Sequence, residues 1–253
     1  MENILDKIKP TERFTNRVEN YVKYRPSYPD TVIKFLCEET DLQKDWNIAD
    51  IGAGTGIFSE LLLKNGYKVW GVEPNRAMRE AAEKHLRSFN KFTSVDATAE
   101  NTSLQDRSIN LITVAQAFHW MNPHTTKQEF RRILKTPGCI ALIWNIRLTN
   151  TPFLQKLEQL KADFGTDYKA TRIVREDQVQ SFFEPAVFKK AALLHSQLLN
   201  REGFKGQLLS SSYMPLEGSK YMELDNAMNR LFEQYEEDGL VKIDFETKIY
   251  LKV

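Results

Sequence analysis

Between Asp50 and Gly56 the chain reads D-I-G-A-G-T-G, with three glycines in five positions after an apolar run. Gly52, Gly54 and Gly56 tolerate positive φ and let another molecule reach the main chain, and both properties cost stability. A turn alone rarely needs three of them, so a ligand lying on the backbone is the first expectation. Glu73 stands 17 residues beyond Gly56. A carboxylate at that distance suits both hydroxyls of a ribose and repels a 2′-phosphate. A dinucleotide fingerprint, G-x-G-x-x-G, wants its third glycine where this chain has Ile57; here it comes one position early. A pyrophosphate also prefers an uncluttered helix N-terminus. A ligand with a cationic centre and an amino-acid tail uses such a turn differently, its ammonium seeking carbonyls and an acid such as Asp50.

These residues need a scaffold that brings strand ends together. From residue 47 onward, short β-rich runs alternate with helical patterns. The expected strands are 47–51, 67–73, 92–97, 109–118 and 139–146. Expected helices cover 56–66, stopped by Gly66, and 75–89, capped by Asn75. A further helix begins after Asn122 and is expected to break at Pro137-Gly138. Such alternation implies a parallel sheet with helices on both faces, and ligands in that architecture bind beyond the carboxyl ends of the strands. On this reading Asp50, Glu73 and Asp96 close three successive strands. Residues 1–40 are expected to form an N-terminal helical lid and 41–150 the core. Residues 151–253 continue the same fold, with a helix near 153–164, a strand near 187–198, an acidic helix near 219–237 and a last strand at 241–253. The alternation in FETKIYLKV suits a half-buried edge strand.

Bulk properties narrow the function. The 253 residues carry 35 basic and 34 acidic side chains, a net charge of +1. That balance offers no general attraction to nucleic acid or an anionic membrane. Residues 1–34 hold seven basic against five acidic side chains, which is not a basic stripe. No apolar run nears the roughly 18 residues of a membrane span, and the N-terminus lacks the apolar stretch of a secretion signal. Cys37 and Cys139 have no metal spacing and read as reduced core residues, and the four histidines form no metal pattern. The expectation is a cytoplasmic protein, monomeric or homodimeric, with no metal and a small-molecule substrate.

D-I-G-A-G-T-G together with Glu73, V-D-A (95–97) and Q-A-F-H-W (116–120) resembles the class I S-adenosylmethionine-dependent methyltransferases. YRPSYP (24–29) with QAFHWMN (116–122) is similar to the small-molecule branch that includes trans-aconitate methyltransferases, among the type 11 methyltransferases. The resemblance implies a Rossmann-like, seven-stranded, mostly parallel sheet with an antiparallel last strand. It implies S-adenosylmethionine as cofactor, with Asp50, Gly52, Ala53 and Gly54 along the methionine portion and Glu73 on the ribose. Pro74 and Asn75 would flank the adenosine, Asp96 and the Ala97 backbone would meet the adenine, and Gln116 would sit by the sulfonium. Many relatives carry an acid at the start of the fourth strand, where this chain has Asn110, a departure expected to touch packing rather than activity.

Methyl transfer is an in-line displacement at an already electrophilic carbon, so the protein's main tasks are alignment and exclusion of water. That predicts a lid, for which Phe14, Tyr21, Tyr24 and Tyr28 are candidates; the alternative is a covering helix with its aromatics in the core. Arg25 is the candidate clamp for a carboxylate, against a surface ion pair. His119 reads as a general base or, more simply, as an orienting wall residue beside Trp120, since a carboxylate nucleophile needs no base. Tyr213 and Met214, in SSSYMP, are expected to face the substrate. The function expected is methyl transfer to a small molecule, with a carboxylate preferred; the rivals are a nicotinamide-dependent oxidoreductase and an inactive cofactor-binding protein.

Overall fold

The computed structural model describes residues 18–166, 168 and 175–253. Its centre is a seven-stranded sheet in the order β3-β2-β1-β4-β5-β7-β6. The strands are β1 (Asn47–Ile51), β2 (Lys68–Val72), β3 (Phe92–Val95), β4 (Ile109–Ala115), β5 (Leu134–Arg147), β6 (Lys189–Leu199) and β7 (Val241–Lys252). The first five pair in parallel, and β7 runs antiparallel to both of its neighbours. The expected architecture, including the antiparallel last strand, is therefore present, except that β7 lies between β5 and β6 and the edge position expected of it belongs to β6. Residues beyond 150 supply β6 and β7 to the same sheet.

The pleat sends alternate residues to opposite faces, and β5 obeys it closely. Cys139, Ala141 and Ile143 join one core with α2 (Thr31–Thr40) and α3 (Ile57–Lys64). Ile140, Leu142 and Trp144 join the other, with Phe130 of α5 (Pro123–Ile133) and Phe182 of α7 (Glu176–Phe183). On the first face Val32 and Leu36 of α2 are fully buried. The last ten residues of the expected lid are thus a core helix, and among its described residues α1 (Val18–Tyr24) and the following turn approach the strand ends. Phe14 lies outside the described residues. A third core joins α6 (Pro152–Phe164), α8 (Arg201–Leu209) and α9 (Gly218–Tyr235) to the start of β7.

Local rules account for most boundaries. Asn75 caps α4 (Arg76–His85), its side chain accepting from the Met78 N–H. Gly66, at φ +84, closes the turn after α3. The break expected at Pro137-Gly138 is displaced, because α5 ends at Ile133 and Leu134 already pairs with Ile109. The ladder resumes at Leu111–Cys139, so the proline, which has no N–H to give, sits inside a bulge of the strand rather than at a helix end. Asn110 ties strand starts together, its Oδ1 accepting from the Asn47 N–H and from Lys135 Nζ, each at 3.0 Å. These bonds lie at the strand starts, away from the strand tops.

Candidate active site

The strand order reverses between β1 and β4, and the chain opens a cavity of about 570 Å³ there, beyond the carboxyl ends of the strands. The volume lies within the range of about 300–1,000 Å³ usual for small-molecule sites. The three loop glycines have separate causes. A Cβ on Gly52 would lie 2.4 Å from the Ala117 Cβ, and one on Gly56 would lie 2.6 Å from Leu86 Cδ1. Both positions also have positive φ, so those two glycines serve packing of the fold. Gly54, at φ +58, is different: the nearest atom to a Cβ there is Met78 Cε at 3.9 Å. Its bare Cα borders the cavity, the one place in the loop where a ligand gains the room a side chain would fill. Gly56 itself does not line the cavity.

Glu73 is held beneath this loop. Its Oε2 accepts the Gly54 N–H and its Oε1 accepts the Asn75 N–H, both at 2.9 Å. A carboxylate has about four acceptor positions, so each oxygen keeps a second lone pair for a ligand hydroxyl. Burial pushes the Glu73 carboxyl up, while the two N–H donors and Arg79 pull it down. Arg79 was not anticipated from sequence. Its Nη1 donates to the Glu73 carbonyl at 2.9 Å and its Nη2 to Asp96 Oδ2 at 2.7 Å, pinning the end of β2 to the segment after β3. Asp96, itself mostly exposed, is thereby directed to an ion pair with the largely buried Arg79, and neither it nor Ala97 lines the cavity. Thr98, Ala99 and Glu100 form that wall instead, alongside Pro74, Asn75 and Met78.

Asp50 is almost fully buried at the end of β1. Its oxygens accept from Ser59 Oγ at 2.6 Å and Thr113 Oγ1 at 3.1 Å. Burial pushes its carboxyl up to about 6, with both hydroxyls drawing it partly back. Opposite, Gln116 leaves β4 at φ +58, a left-handed conformation that a non-glycine residue adopts at a cost, of a kind concentrated at functional sites. The strain is held by its N–H on the Ile143 carbonyl at 2.9 Å and its Nε2 on the Asn145 carbonyl at 2.8 Å. Asn145 in turn donates from Nδ2 to the Ser27 carbonyl at 3.0 Å and accepts from Thr247 Oγ1 at 2.6 Å. One asparagine therefore ties the tops of β4, β5 and β7 to the turn after α1.

That turn forms the cover. Tyr21, Arg25, Pro26 and Tyr28 line the cavity. Tyr28 packs edge-on against Phe58 with centroids 5.0 Å apart, and Arg25 lies over the Tyr21 ring at 4.7 Å. Tyr24 faces the other way. Its ring rests on Gly206 and its hydroxyl donates to Glu202, so it fastens α1 to α8 outside the cavity. His119 and Trp120 occupy a short 3-10 turn after β4, their rings 4.5 Å apart, and both line the cavity. Tyr213 lines it too, whereas Met214 is buried in the third core. Among the cavity residues that escaped the sequence reading are Arg147 at the end of β5, Lys161 on α6 and Tyr168. The position of Arg147 at a strand end was the available signal; nothing local marked the other two. Among the described residues no His, Cys, Asp and Glu cluster could hold a metal, and no helix is long and apolar enough to cross a membrane.

Comparison with known proteins agrees with this arrangement. Residues 49–142, which carry the loop, Glu73 and Gln116, match the family model described as a methyltransferase domain, Methyltransf_11. A curated relative, an uncharacterized methyltransferase of Schizosaccharomyces pombe, is 30% identical over 151 residues. That match takes in 58% of each chain, so this chain covers under two thirds of the relative's length. Among solved structures, a protein assigned as a type II methyltransferase from Anaeromyxobacter dehalogenans superposes with a TM-score of 0.68 at 19% identity, over 90% of this chain and 97% of its own. Phosphoethanolamine N-methyltransferase 2 of Haemonchus contortus, in complex with phosphomonomethylethanolamine and S-adenosylhomocysteine, gives 0.58 at 12% identity, over 100% of this chain and 60% of its own. At these identities the two structures speak for the fold alone.

Proposed function

We propose that this chain, whose residues 49–142 match the methyltransferase-domain model, is a class I methyltransferase that transfers a methyl group from S-adenosylmethionine to a small-molecule acceptor, preferentially a carboxylate. The observation that carries the reading is Glu73, whose two oxygens each accept one main-chain N–H beside the open Cα of Gly54 and keep acceptor capacity for a ribose diol. Asp50 and the 52–54 main chain suit a zwitterionic, cationic tail, and Met78 with Thr98–Glu100 suits the base. When bound, the cofactor supplies a methyl carbon made electrophilic by its sulfonium, so that an acceptor oxygen gains that carbon as the carbon–sulfur bond breaks and no proton need move from a carboxylate.

The chain's own work is positional. Gln116, held in its strained turn by Asn145, presents a fixed amide at the top of β4. Tyr21, Arg25 and Tyr28 cover the cavity and exclude water, which keeps the acceptor's charge unscreened. Ring faces near a positive centre add attraction. Arg25 is the carboxylate clamp, its Nε buried and without an acceptor. His119 serves as an orienting wall residue and becomes a base only for a neutral acceptor. The turn after α1 acts as a lid, and residues 151–253 contribute the acceptor side. The proposed setting is the cytoplasm, with no nucleic-acid or membrane partner and a monomer or homodimer as the working form.

The test is direct. Purified protein with methyl-labelled S-adenosylmethionine should label small carboxylic acids, and S-adenosylhomocysteine should raise its melting temperature. Labelling of phenols, amines or carbon acids with none of carboxylates would refute the acceptor; no shift and no labelling would refute the reaction.

A further inference from the structure

A chain of side-chain amides runs from the end of α1 to the cavity wall. Tyr24 is the last residue of α1, and the last carbonyls of a helix have no partner within it. The Tyr24 carbonyl accepts from Gln197 Nε2 of β6 at 3.3 Å. Gln197 Oε1 in turn accepts from Gln207 Nε2 of α8 at 2.5 Å. Gln207 is 4% exposed and lines the cavity, whereas Gln197 does not.

The order of donors along this chain is fixed from its far end. A main-chain carbonyl only accepts, while a side-chain amide has one accepting oxygen and a donating nitrogen. Reversing Gln197 would set its oxygen against the Tyr24 carbonyl oxygen, so its nitrogen turns there and its oxygen turns to Gln207. Gln207 must then give its nitrogen to Gln197, which leaves its Oε1 at the opposite corner of the amide. Among the described residues no donor meets that oxygen, and it is not one of the polar atoms that the protein encloses without a partner. It therefore borders the cavity. A carbonyl oxygen in a wall attracts an O–H or N–H donor, repels a lone pair, and discriminates strongly against an analogue that leaves it unpaired. An ammonium costs far more to take out of water than a hydroxyl does, so a neutral hydroxyl is the donor that suits it.

We propose that Gln207 is a specificity-determining residue that requires a hydroxyl on the methyl acceptor, and that Gln197 is the positioning residue that fixes its amide. The inference rests on the methyl-transfer reading and adds to it a feature of the acceptor. Beside the carboxylate taken by Arg25, the acceptor carries a hydroxyl that donates to Gln207 Oε1 and serves recognition, not methylation. An acid with no hydroxyl, or with that hydroxyl capped as an ether, leaves the Gln207 oxygen unmet.

Ratios of binding constants test this. The full chain saturated with S-adenosylhomocysteine is titrated with butyrate, with 2-, 3- and 4-hydroxybutyrate, and with the methyl ether of each hydroxy acid. At least one hydroxy acid should bind tenfold or more tightly than both butyrate and its own ether. In Gln207→Met that hydroxy acid and butyrate should bind within threefold of each other. In Gln197→Met the Gln207 amide is no longer locked and can turn its N–H groups to the cavity, so the hydroxy acid and its ether should draw within threefold. S-adenosylhomocysteine affinity should stay within twofold of wild type in both variants. A loss shared equally by every acid in both variants, with the wild-type ratios kept, is the mark of a merely structural role and overturns the proposal. So does a wild type that binds no hydroxy acid, or that binds all the acids alike. If S-adenosylhomocysteine itself does not bind, the methyl-transfer reading fails separately, and the same titrations without it still decide the hydroxyl requirement.

Discussion

Replacing Glu73 by alanine tests the cofactor site at its most specific contact. Two ligand hydroxyls donating to a charged acceptor contribute about 1.5–3 kcal/mol each. Their loss weakens nucleoside binding by about 3 kcal/mol at least, which at 1.4 kcal/mol per tenfold is roughly 100-fold. The variant also strands the Gly54 and Asn75 N–H groups. Removing a carboxylate whose ionised form burial disfavours offsets part of that. The ligand-free protein should therefore melt only a few degrees lower, at about 2–4 °C per kcal/mol for a chain of this size. Calorimetric titration with S-adenosylhomocysteine reads the affinity, and adenosine against 2′-deoxyadenosine closes the cycle. Wild type should prefer adenosine strongly and Glu73→Ala should show almost no preference. A variant affinity within threefold of wild type, or wild-type indifference to the missing hydroxyl, would refute the assignment.

The loop glycines should separate by assay: Gly52→Ala, whose Cβ would stand 2.4 Å from that of Ala117, should lower the melting temperature sharply. Gly54→Ala meets no atom closer than 3.9 Å, so beyond the backbone strain of about 1–2 kcal/mol at its φ of +58 it should mainly cost cofactor affinity, read by titration. Asp50 gives a pH dependence. Its folded pKa of about 6 lies above the ordinary 3.8, so the fold binds its proton more tightly than the unfolded chain does, and its ionisation lowers stability as pH rises from about 4 to 6. A cationic ligand tail prefers the ionised form, so cofactor affinity should fall by up to about tenfold per pH unit below 6, and Asp50→Asn should flatten that slope. Asn145→Ala removes the side-chain bonds to Ser27 and Thr247, at about 1–2 kcal/mol. It should raise the acceptor's KM roughly tenfold and speed proteolysis near Ser27, with cofactor affinity little changed.

Much of this site was readable because its signals are local. Glycines that need positive φ, an acid closing β2 and an asparagine capping α4 are all announced within a few residues of where they act. The sheet followed from the strand–helix rhythm, and the antiparallel β7 from the family resemblance. What escaped detection depends on side chains meeting across the fold. Asp96 is two residues from cavity-lining Thr98, yet Arg79, a turn along α4, turns it outward. Tyr24 belongs to the expected aromatic cover, but Gly206, on a helix not resolved by pattern, offers its ring a flat seat elsewhere. Arg147 and Lys161 occupy a strand end and a helix whose tertiary placement no periodicity reveals. The last quarter of the expected lid became core because Val32 and Leu36 pack under the sheet, where amphipathicity alone does not distinguish cover from foundation.

A crystal of the protein grown with S-adenosylhomocysteine puts the whole account to one measurement. Density for the nucleoside across the tops of β1 and β2, with both ribose hydroxyls within hydrogen-bond distance of the Glu73 carboxylate, is the result expected. A sugar turned away from that carboxylate, or a cavity closed by the protein's own side chains, contradicts it.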